Sequence, residues 1–303
     1  MSKFRWVLVI ILLLQSAAAS LTTRDWKEES NAHFQVYHHD TDASNVTALL
    51  KALIPIKIDL EEQLQIKLAF PARIFLTSNQ EEFDRITGGR LPVWSQGVSF
   101  PTTGVIVLKS PGFSHDMSTF HKTAAHELVH LIIGVRTGNN IPRWLNEGLA
   151  QMLSGEGPGK PMARLSRALW SGTLISLKSI EHVDSFSHSQ ADLAYLQSYH
   201  AAEFLIKQYG WEALHEIMGY LNQNLPFDDA LYRTLEMDST GFEAAWLASL
   251  NRSYRWVILL DLHLYLFLGA TILVIAAGIS VIRRRKKIYR KWEAEDGPQE
   301  DIF

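Results

Sequence analysis

The chain of 303 residues contains no cysteine. Disulfide bonds and thiolate ligands for a metal are therefore excluded, and the folded part must be held together by its hydrophobic core. An excess of charge of one sign is also lacking, because 29 Lys and Arg stand against 32 Asp and Glu, a formal net charge of −3. This balance gives no electrostatic reason to expect a nucleic acid as partner.

Long uncharged apolar runs are scarce, and the two clear ones lie near the ends of the chain. The first, from Val7 to Leu14, follows Lys3 and Arg5 and precedes Ala17-Ala18-Ala19. A basic start, an apolar core and small residues at a cleavage site are the three parts of a secretory signal peptide. We therefore predict that residues 1–19 are a cleaved signal peptide, with an uncleaved anchor as the alternative.

The second apolar run extends from Leu264 to Ile282 without a charged residue, and Arg283 to Lys287 follow it directly. Its length suits a membrane-spanning helix, and the basic cluster marks the cytoplasmic end. Together with the signal peptide, this run predicts a single-pass protein of the cell membrane. We place the transmembrane helix at residues 257–282, the main part of the chain outside the cytoplasm, and a mostly disordered cytoplasmic tail at 283–303.

The stretch His126-Glu127-Leu128-Val129-His130 carries the most chemical information. Two histidines four residues apart share one face of a helix, where both imidazoles can hold one zinc ion. Glu127 is placed to take a proton from an attacking water. The alternative is a surface helix with two solvated histidines. Apolar neighbours argue against it, because a helix that is apolar nearly all round is buried. These neighbours are Ala124, Ala125, Leu128, Val129, Leu131, Ile132 and Ile133.

A second helical segment follows, after Gly138 and the asparagines beside it end the first helix. It opens at Pro142, and Glu147 lies among its apolar residues. A buried carboxylate requires a cation, so Glu147 is predicted to be the third metal ligand, beside His126 and His130. Two histidines and a carboxylate also suit iron(II) oxygenases. Those sites do not require a helix with its own base, so we predict Zn²⁺.

These two segments, His126 to His130 and Trp144-Leu145-Asn146-Glu147-Gly148-Leu149-Ala150, resemble the gluzincin metallopeptidases, the clan of thermolysin and the M1 aminopeptidases. More narrowly, they resemble the peptidase MA-like domains of bacterial envelope proteins. The resemblance implies an α+β, zincin-like fold. In that fold a small N-terminal lobe holds a mixed β-sheet with helices, a C-terminal lobe is helical, and the helix with the histidines lies between them. It also implies zinc, Glu127 as general base, and peptide or protein substrates.

The resemblance further implies a tyrosine, downstream of the glutamate ligand, that stabilises the oxyanion of the reaction. The matching run starts at Tyr195, which we predict to be catalytic, and Tyr199 one turn further along is the alternative. Both could instead be core tyrosines. His182, His188 and His200 are weaker candidates.

Two departures from the family pattern restrict the expected activity. The GxMEN loop with which M1 exopeptidases hold a substrate's amino terminus is missing, and residues 88–110 have another sequence. An aminopeptidase is therefore not expected. Thermolysin-like enzymes brace a histidine ligand with an aspartate four residues after the glutamate ligand. Here that position is Gln151, so no residue is assigned as a partner of the histidines.

Local patterns predict the elements around these motifs. Strands are expected at Asn31–His39, at Ala72–Thr77 and twice within Gly97–Leu108, and helices at 43–66 and Asn79–Ile86. By analogy with gluzincins, Val105–Leu108 is assigned the edge of the cleft, where a peptide could add as a further strand. The predicted domains are a signal peptide (1–19), an N-terminal β-rich lobe (20–115), a helical zinc-binding lobe (116–255), the transmembrane helix (257–282) and the tail (283–303).

The leading hypothesis is a zinc metallopeptidase anchored in the membrane and acting on extracytoplasmic peptides or proteins. One alternative is the same metal site hydrolysing a non-peptide amide of an envelope polymer. Another is a catalytically silent zincin fold that binds a partner. The sequence does not indicate the oligomeric state.

Overall fold

A computed structural model describes residues 26–89, 91–112, 117–157, 162–254 and 262–295. The predicted signal peptide, residues 1–19, lies outside the described residues, as do residues 296–303 of the predicted tail. Apart from the last described helix, these residues form an N-terminal part with a sheet and a C-terminal part made of helices.

The N-terminal part contains a mixed sheet of five strands. These are β1 (Lys27–Ser30), β2 (Phe34–His38), β3 (Ala72–Thr77), β4 (Gly97–Phe100) and β5 (Val105–Lys109). Their order in space is β1-β2-β3-β5-β4. The central pairs β2–β3 and β3–β5 are parallel, and the outer pairs β1–β2 and β4–β5 are antiparallel. The predicted mixed sheet is therefore confirmed, although β1, with the polar sequence Lys27 to Ser30, is missing from the prediction.

The expectation that Val105–Leu108 forms the cleft edge is wrong. The strand that contains it, β5, lies between β3 and β4, and all five of its residues are buried. A continuous apolar run is typical of a strand that is covered on both faces. The strand at this end of the sheet is β4, which begins at Gly97.

Two helices belong to the N-terminal part, α1 (Ala43–Gln63) and α2 (Gln80–Thr87). The first buries Val46, Leu49, Leu53 and Leu60, which recur at helical spacing and join one core with the strands. The second begins at a cap, because the Asn79 side chain accepts a hydrogen bond from the backbone N–H of Glu82.

The C-terminal part is helical, as predicted. It contains α3 (Met117–Thr137), α4 (Arg143–Leu153), α5 (Met162–Ser171), a 3₁₀ segment (Leu177–Ser185), α6 (His188–Asn222), α7 (Phe227–Leu235) and α8 (Ser239–Tyr254). The histidine pair lies on α3, which is buried over most of its length. The helix α6 is interrupted at Gly210, where φ is +86°.

Helices α4 and α6 cross in close contact at Gly148. A Cβ atom on Gly148 would lie 2.1 Å from the carbonyl oxygen of Ser198, so a residue with a side chain does not fit there. Gln151 also joins the two helices, because its amide donates to the carbonyls of Glu147 (3.2 Å) and Tyr195 (3.0 Å). This crossing brings the part of α4 that carries Glu147 next to the part of α6 that carries Tyr195.

The final helix, α9 (Leu262–Glu295), contains the stretch Tyr265–Trp292, which is long and apolar enough to cross a membrane. The side chains of Tyr265–Trp292 are exposed rather than packed against the rest of the described chain. The helix continues beyond Ile282 through the basic cluster to Glu295. The expected disorder of the tail is therefore wrong for residues 283–295, where the backbone is helical.

Candidate metal centre

A cleft of about 630 Å³ separates the β4 side of the sheet from the helices of the C-terminal part. One wall consists of β4 and the loop before it, and the other of residues from α3, α4, the 3₁₀ segment and α6. Its floor holds the predicted site residues His126, Glu127, His130 and Glu147, and Tyr195 also lines it. The structure thus brings the three predicted metal ligands, Glu127 and Tyr195 together in one cleft.

Three nitrogen and oxygen atoms point at one place within this cleft. The Nε2 atoms of His126 and His130 are 3.0 Å apart, and Glu147 Oε2 lies 3.6 Å from the first and 3.5 Å from the second. In a tetrahedral zinc site with bonds of 2.0–2.1 Å, neighbouring ligand atoms are about 3.3 Å apart. The three observed distances fit that geometry, and the three side chains are largely buried. Three protein ligands leave the fourth position of such a site open, as in catalytic zinc sites.

The outer nitrogens of both histidines have oxygen partners. His126 Nδ1 is 3.0 Å from Glu156 Oε2, and His130 Nδ1 is 2.9 Å from Asn146 Oδ1. Each Nδ1–H therefore donates outward, which leaves the Nε2 lone pairs directed at the common point. Two such lone pairs 3.0 Å apart are stable only with a proton or a metal ion between them. This chemistry fits a bound cation.

The partner Glu156 is absent from the predictions based on sequence. It lies nine positions after Glu147, between Gly155 and Gly157, both of which have positive φ angles of 74° and 69°. The acidic residue within a glycine-rich loop is the one signal that could have nominated it. Gln151, at the position where thermolysin-like enzymes carry their brace, contacts helix backbones instead of a histidine.

Charges around the ligands favour a cation in their midst. Burial alone would raise the pKa of Glu147, but His130 and His126 hold this pKa well below its usual range. Burial alone would lower the pKa of His126, yet its hydrogen bonds to Glu147 and Glu156 raise this pKa well above its usual range. The carboxylates thus stabilise positive charge at the centre of the site.

Glu127 projects from α3 into the cleft and is buried. Burial raises the pKa of its carboxyl, and the two histidines offset part of this effect. The side chain packs against Gly97 at the start of β4, where a Cβ atom would lie only 2.8 Å from Glu127 Cγ. A glycine at this position therefore leaves room for the Glu127 side chain beside the edge strand.

Arg143 connects several groups at the other side of the site. Its guanidinium donates two hydrogen bonds to the carboxylate of Asp184, at 2.6 and 2.9 Å. Its Nε lies 3.5 Å from Glu147 Oε1, the oxygen that faces away from the histidines. Arg143 thus holds Glu147 so that Oε2 is directed at the imidazoles.

Tyr195 lines the cleft, whereas Tyr199 does not. Burial raises the pKa of Tyr195, so its hydroxyl keeps its proton and can donate a hydrogen bond. Tyr199 instead packs edge-to-face on His200, with ring centroids 5.3 Å apart. Among the described residues that line the cleft, His126 and His130 are the only histidines, so His182, His188 and His200 lie elsewhere.

The sequence profile of the peptidase MA superfamily matches residues 56–252, about two thirds of the chain. The chain belongs to the peptidase MA superfamily. The match covers the histidine pair, Glu147 and Tyr195, and the resemblance that the motifs indicate is therefore confirmed. A comparison with curated proteins gives no match.

Two solved structures are similar to this peptidase MA chain at 12% identity. One is an M1 zinc metallopeptidase from Deinococcus radiodurans in a glutamate-to-alanine variant, with a TM-score of 0.45 over 74% of this chain and 52% of that chain. The other is a two-domain M1 zinc metallopeptidase carrying a glutamate-to-alanine substitution and bound to L-tryptophan, with a TM-score of 0.39 over 74% and 51%. The chain spans about half the length of these structures.

Replacing Glu156 tests its contact with His126. We expect the full chain to bind about one zinc ion, and Glu156→Ala to weaken zinc binding about 10- to 100-fold, because partners of ligating histidines orient the ring. The measurement is competition with a chromophoric chelator. Glu181→Ala is the control, since Glu181 lines the same cleft but accepts a hydrogen bond from the Arg143 backbone N–H. Equal zinc affinity in both variants would contradict the assignment.

Proposed function

We propose that the chain is a membrane-anchored zinc metallopeptidase that hydrolyses peptide bonds in extracytoplasmic peptides or proteins. The observation that carries this proposal is the convergence of His126, His130 and Glu147 on one point, beside the buried Glu127. Membership of the peptidase MA superfamily supports the same reaction class.

In this proposal His126, His130 and Glu147 hold Zn²⁺ as a ligand set of two nitrogens and one oxygen. When bound, the ion supplies a Lewis acid that polarises the substrate carbonyl and lowers the pKa of the attacking water. Glu156 and Asn146 keep the two imidazoles in the orientation and tautomer that present Nε2.

Glu127 acts as the general base. Its carboxylate takes a proton from the attacking water and then delivers it to the nitrogen of the leaving amine. Burial raises the pKa of Glu127, and this suits the role because a more basic carboxylate accepts the proton more readily. Gly97 supports the role by leaving room for Glu127 beside β4.

Tyr195 stabilises the negative charge that develops on the substrate oxygen. Its protonated hydroxyl donates a hydrogen bond within a largely buried site, where such a bond is stronger than in water. Arg143 lies beside Tyr195 and is held in place by Asp184, so it adds positive charge to this side of the cleft.

The edge strand supports a peptide as substrate rather than a non-peptide amide. Among the described strands, β4 pairs only with β5, so an extended chain could add to its other side as a further strand. The first three residues of β4, Gly97 to Ser99, line the cleft beside Glu127. A peptide added along β4 would therefore pass the general base.

The ends of the chain support the location. The apolar stretch of α9 would anchor the protein, and Arg283 to Lys287 would lie on the cytoplasmic side. A cleaved signal peptide at residues 1–19 would send the catalytic part across the membrane. The substrates would then be found outside the cytoplasm, near the membrane.

Glu127→Gln tests the reaction. We expect this variant to keep its zinc but to lose about 100- to 10,000-fold in turnover, since an amide cannot accept the proton of water. Hydrolysis is measured on a mixed library of internally quenched peptides, with zinc content measured on the same samples. Glu181→Gln removes the charge of another cleft carboxylate but keeps the oxygen that accepts from the Arg143 N–H, and it should remain active. Unchanged turnover in Glu127→Gln would show that another group is the base.

Tyr195→Phe and Tyr199→Phe form a matched pair on the same helix. Removing the hydroxyl of Tyr195 should lower kcat about 100- to 1,000-fold, the usual effect of losing one oxyanion donor, with a small change in KM. Tyr199→Phe should stay near the wild-type rate, because Tyr199 lies outside the cleft. Equal kinetics for the two variants would show that Tyr195 is a packing residue and does not stabilise the oxyanion.

A further inference from the structure

Two exposed apolar side chains lie on the loop before β4, and one of them, Trp94, lines the cleft. Val93 is 75% exposed and Trp94 is 55% exposed. They are the central residues of a tight turn, in which the Ser95 N–H donates to the Pro92 carbonyl at 2.9 Å. Trp94 and its neighbours Leu91 and Pro92 line the same cleft as Glu127.

This turn, Pro92–Ser95, is fixed to the body of the protein. The ammonium of Lys109 is buried and donates to the Val93 carbonyl at 2.8 Å, while also lying over the ring of Phe83. The Gln96 amide donates to the Trp94 carbonyl at 3.0 Å. A buried ammonium needs hydrogen-bond partners, and the Val93 carbonyl is one of them, so Lys109 ties the turn to β5.

The turn is only a few residues away in sequence from the part of β4 that contacts Glu127. Trp94 is three residues before Gly97, which packs against Glu127. Three residues span at most about 10 Å, and an extended peptide advances about 3.3 Å per residue. A substrate lying along β4 would therefore present a side chain to Trp94 within about three residues of the cleaved bond.

The apolar surface of the cleft is concentrated on this wall. The opposite wall carries Glu181, Asp184 and Asp192, which are polar and charged. The apolar lining residues come mostly from the segment around the turn, namely Leu91, Pro92, Trp94, Val98 and Pro101, with Ile141 from elsewhere. An apolar group of a bound peptide would find its contacts on the turn side.

We infer that the Pro92–Ser95 turn selects the substrate, with Trp94, Leu91 and Pro92 forming a subsite for a bulky apolar or aromatic side chain near the cleaved bond. This inference rests on the proposed function and names the substrate class of the same site. Trp94 faces the cleft that holds the ligand set, which favours a substrate side chain over a lipid surface as its occupant.

The test uses the full chain, loaded with zinc, in lipid nanodiscs. Peptides that differ only in Ala, Leu or Phe are compared at each position within three residues of the cleaved bond. At one position the wild type should prefer Phe and Leu over Ala by at least about 10-fold in kcat/KM, the usual contribution of an apolar pocket. Trp94→Ala should remove this preference and leave the Ala peptide within about 2-fold of wild type.

Trp170→Ala is the matched control, because Trp170 is 51% exposed on α5 and lies outside the cleft lining. It should keep the wild-type preference. An equal loss for all three peptides in Trp94→Ala, or no loss at all, would overturn the inference.

Binding to the Glu127→Gln chain, measured by fluorescence anisotropy, separates this inference from the proposed function. If this chain binds the Phe peptide preferentially, and the preference disappears when Trp94→Ala is added, the subsite is supported. This holds even if the wild type cleaves no peptide, a result that would refute the proposed peptidase activity. Because the chain has no cysteine, Val93→Cys gives a single labelling site for a polarity-sensitive dye. A blue shift on adding peptide supports the inference. A blue shift produced by the nanodisc alone would assign the turn to the membrane and overturn it.

Discussion

The convergence of two imidazole nitrogens and one carboxylate oxygen is the constraint on which the rest of the structure depends. Each ligand is placed by a buried helix, and the two helices must hold atoms within 3.6 Å of one another. Buried polar groups so arranged are stable only with partners and a positive charge between them. The apolar surroundings of α3, the outward hydrogen bonds to Glu156 and Asn146, and the position of Arg143 all follow from that requirement.

Close packing then sets the distances between the ligands and the other groups of the site. Gly148 lets α4 and α6 cross in contact, which puts Tyr195 on the same cleft as Glu147. Gly97 lets the sheet come close to α3 in the same way, because the absence of a side chain leaves room for Glu127 beside β4. The cleft therefore has a helical, acidic wall and an edge-strand wall with apolar residues, and Glu127 lies between them.

The parts of this arrangement that the sequence predicts are those that follow from periodicity. The spacing of His126 and His130, the apolar residues around them and the strand at Ala72–Thr77 are all local patterns. Glu156 escapes prediction because it belongs to a loop, where no period constrains a side chain. The position of β5 inside the sheet depends on which strands pair, and neighbours in sequence do not reveal that order. The residues of β1 are all polar, so they show no alternation of apolar and polar side chains. The strand is held by backbone hydrogen bonds to β2, which the sequence does not reveal.

X-ray absorption at the zinc edge, on the zinc-loaded full chain, tests whether His126, His130 and Glu147 bind the metal. We expect a shell with two imidazole nitrogens and carboxylate or water oxygens at about 2.0–2.1 Å, and loss of imidazole scattering from one ring in His130→Ala. A shell of oxygens alone, or an unchanged spectrum in His130→Ala, would show that the metal binds elsewhere and that these residues are not its ligands.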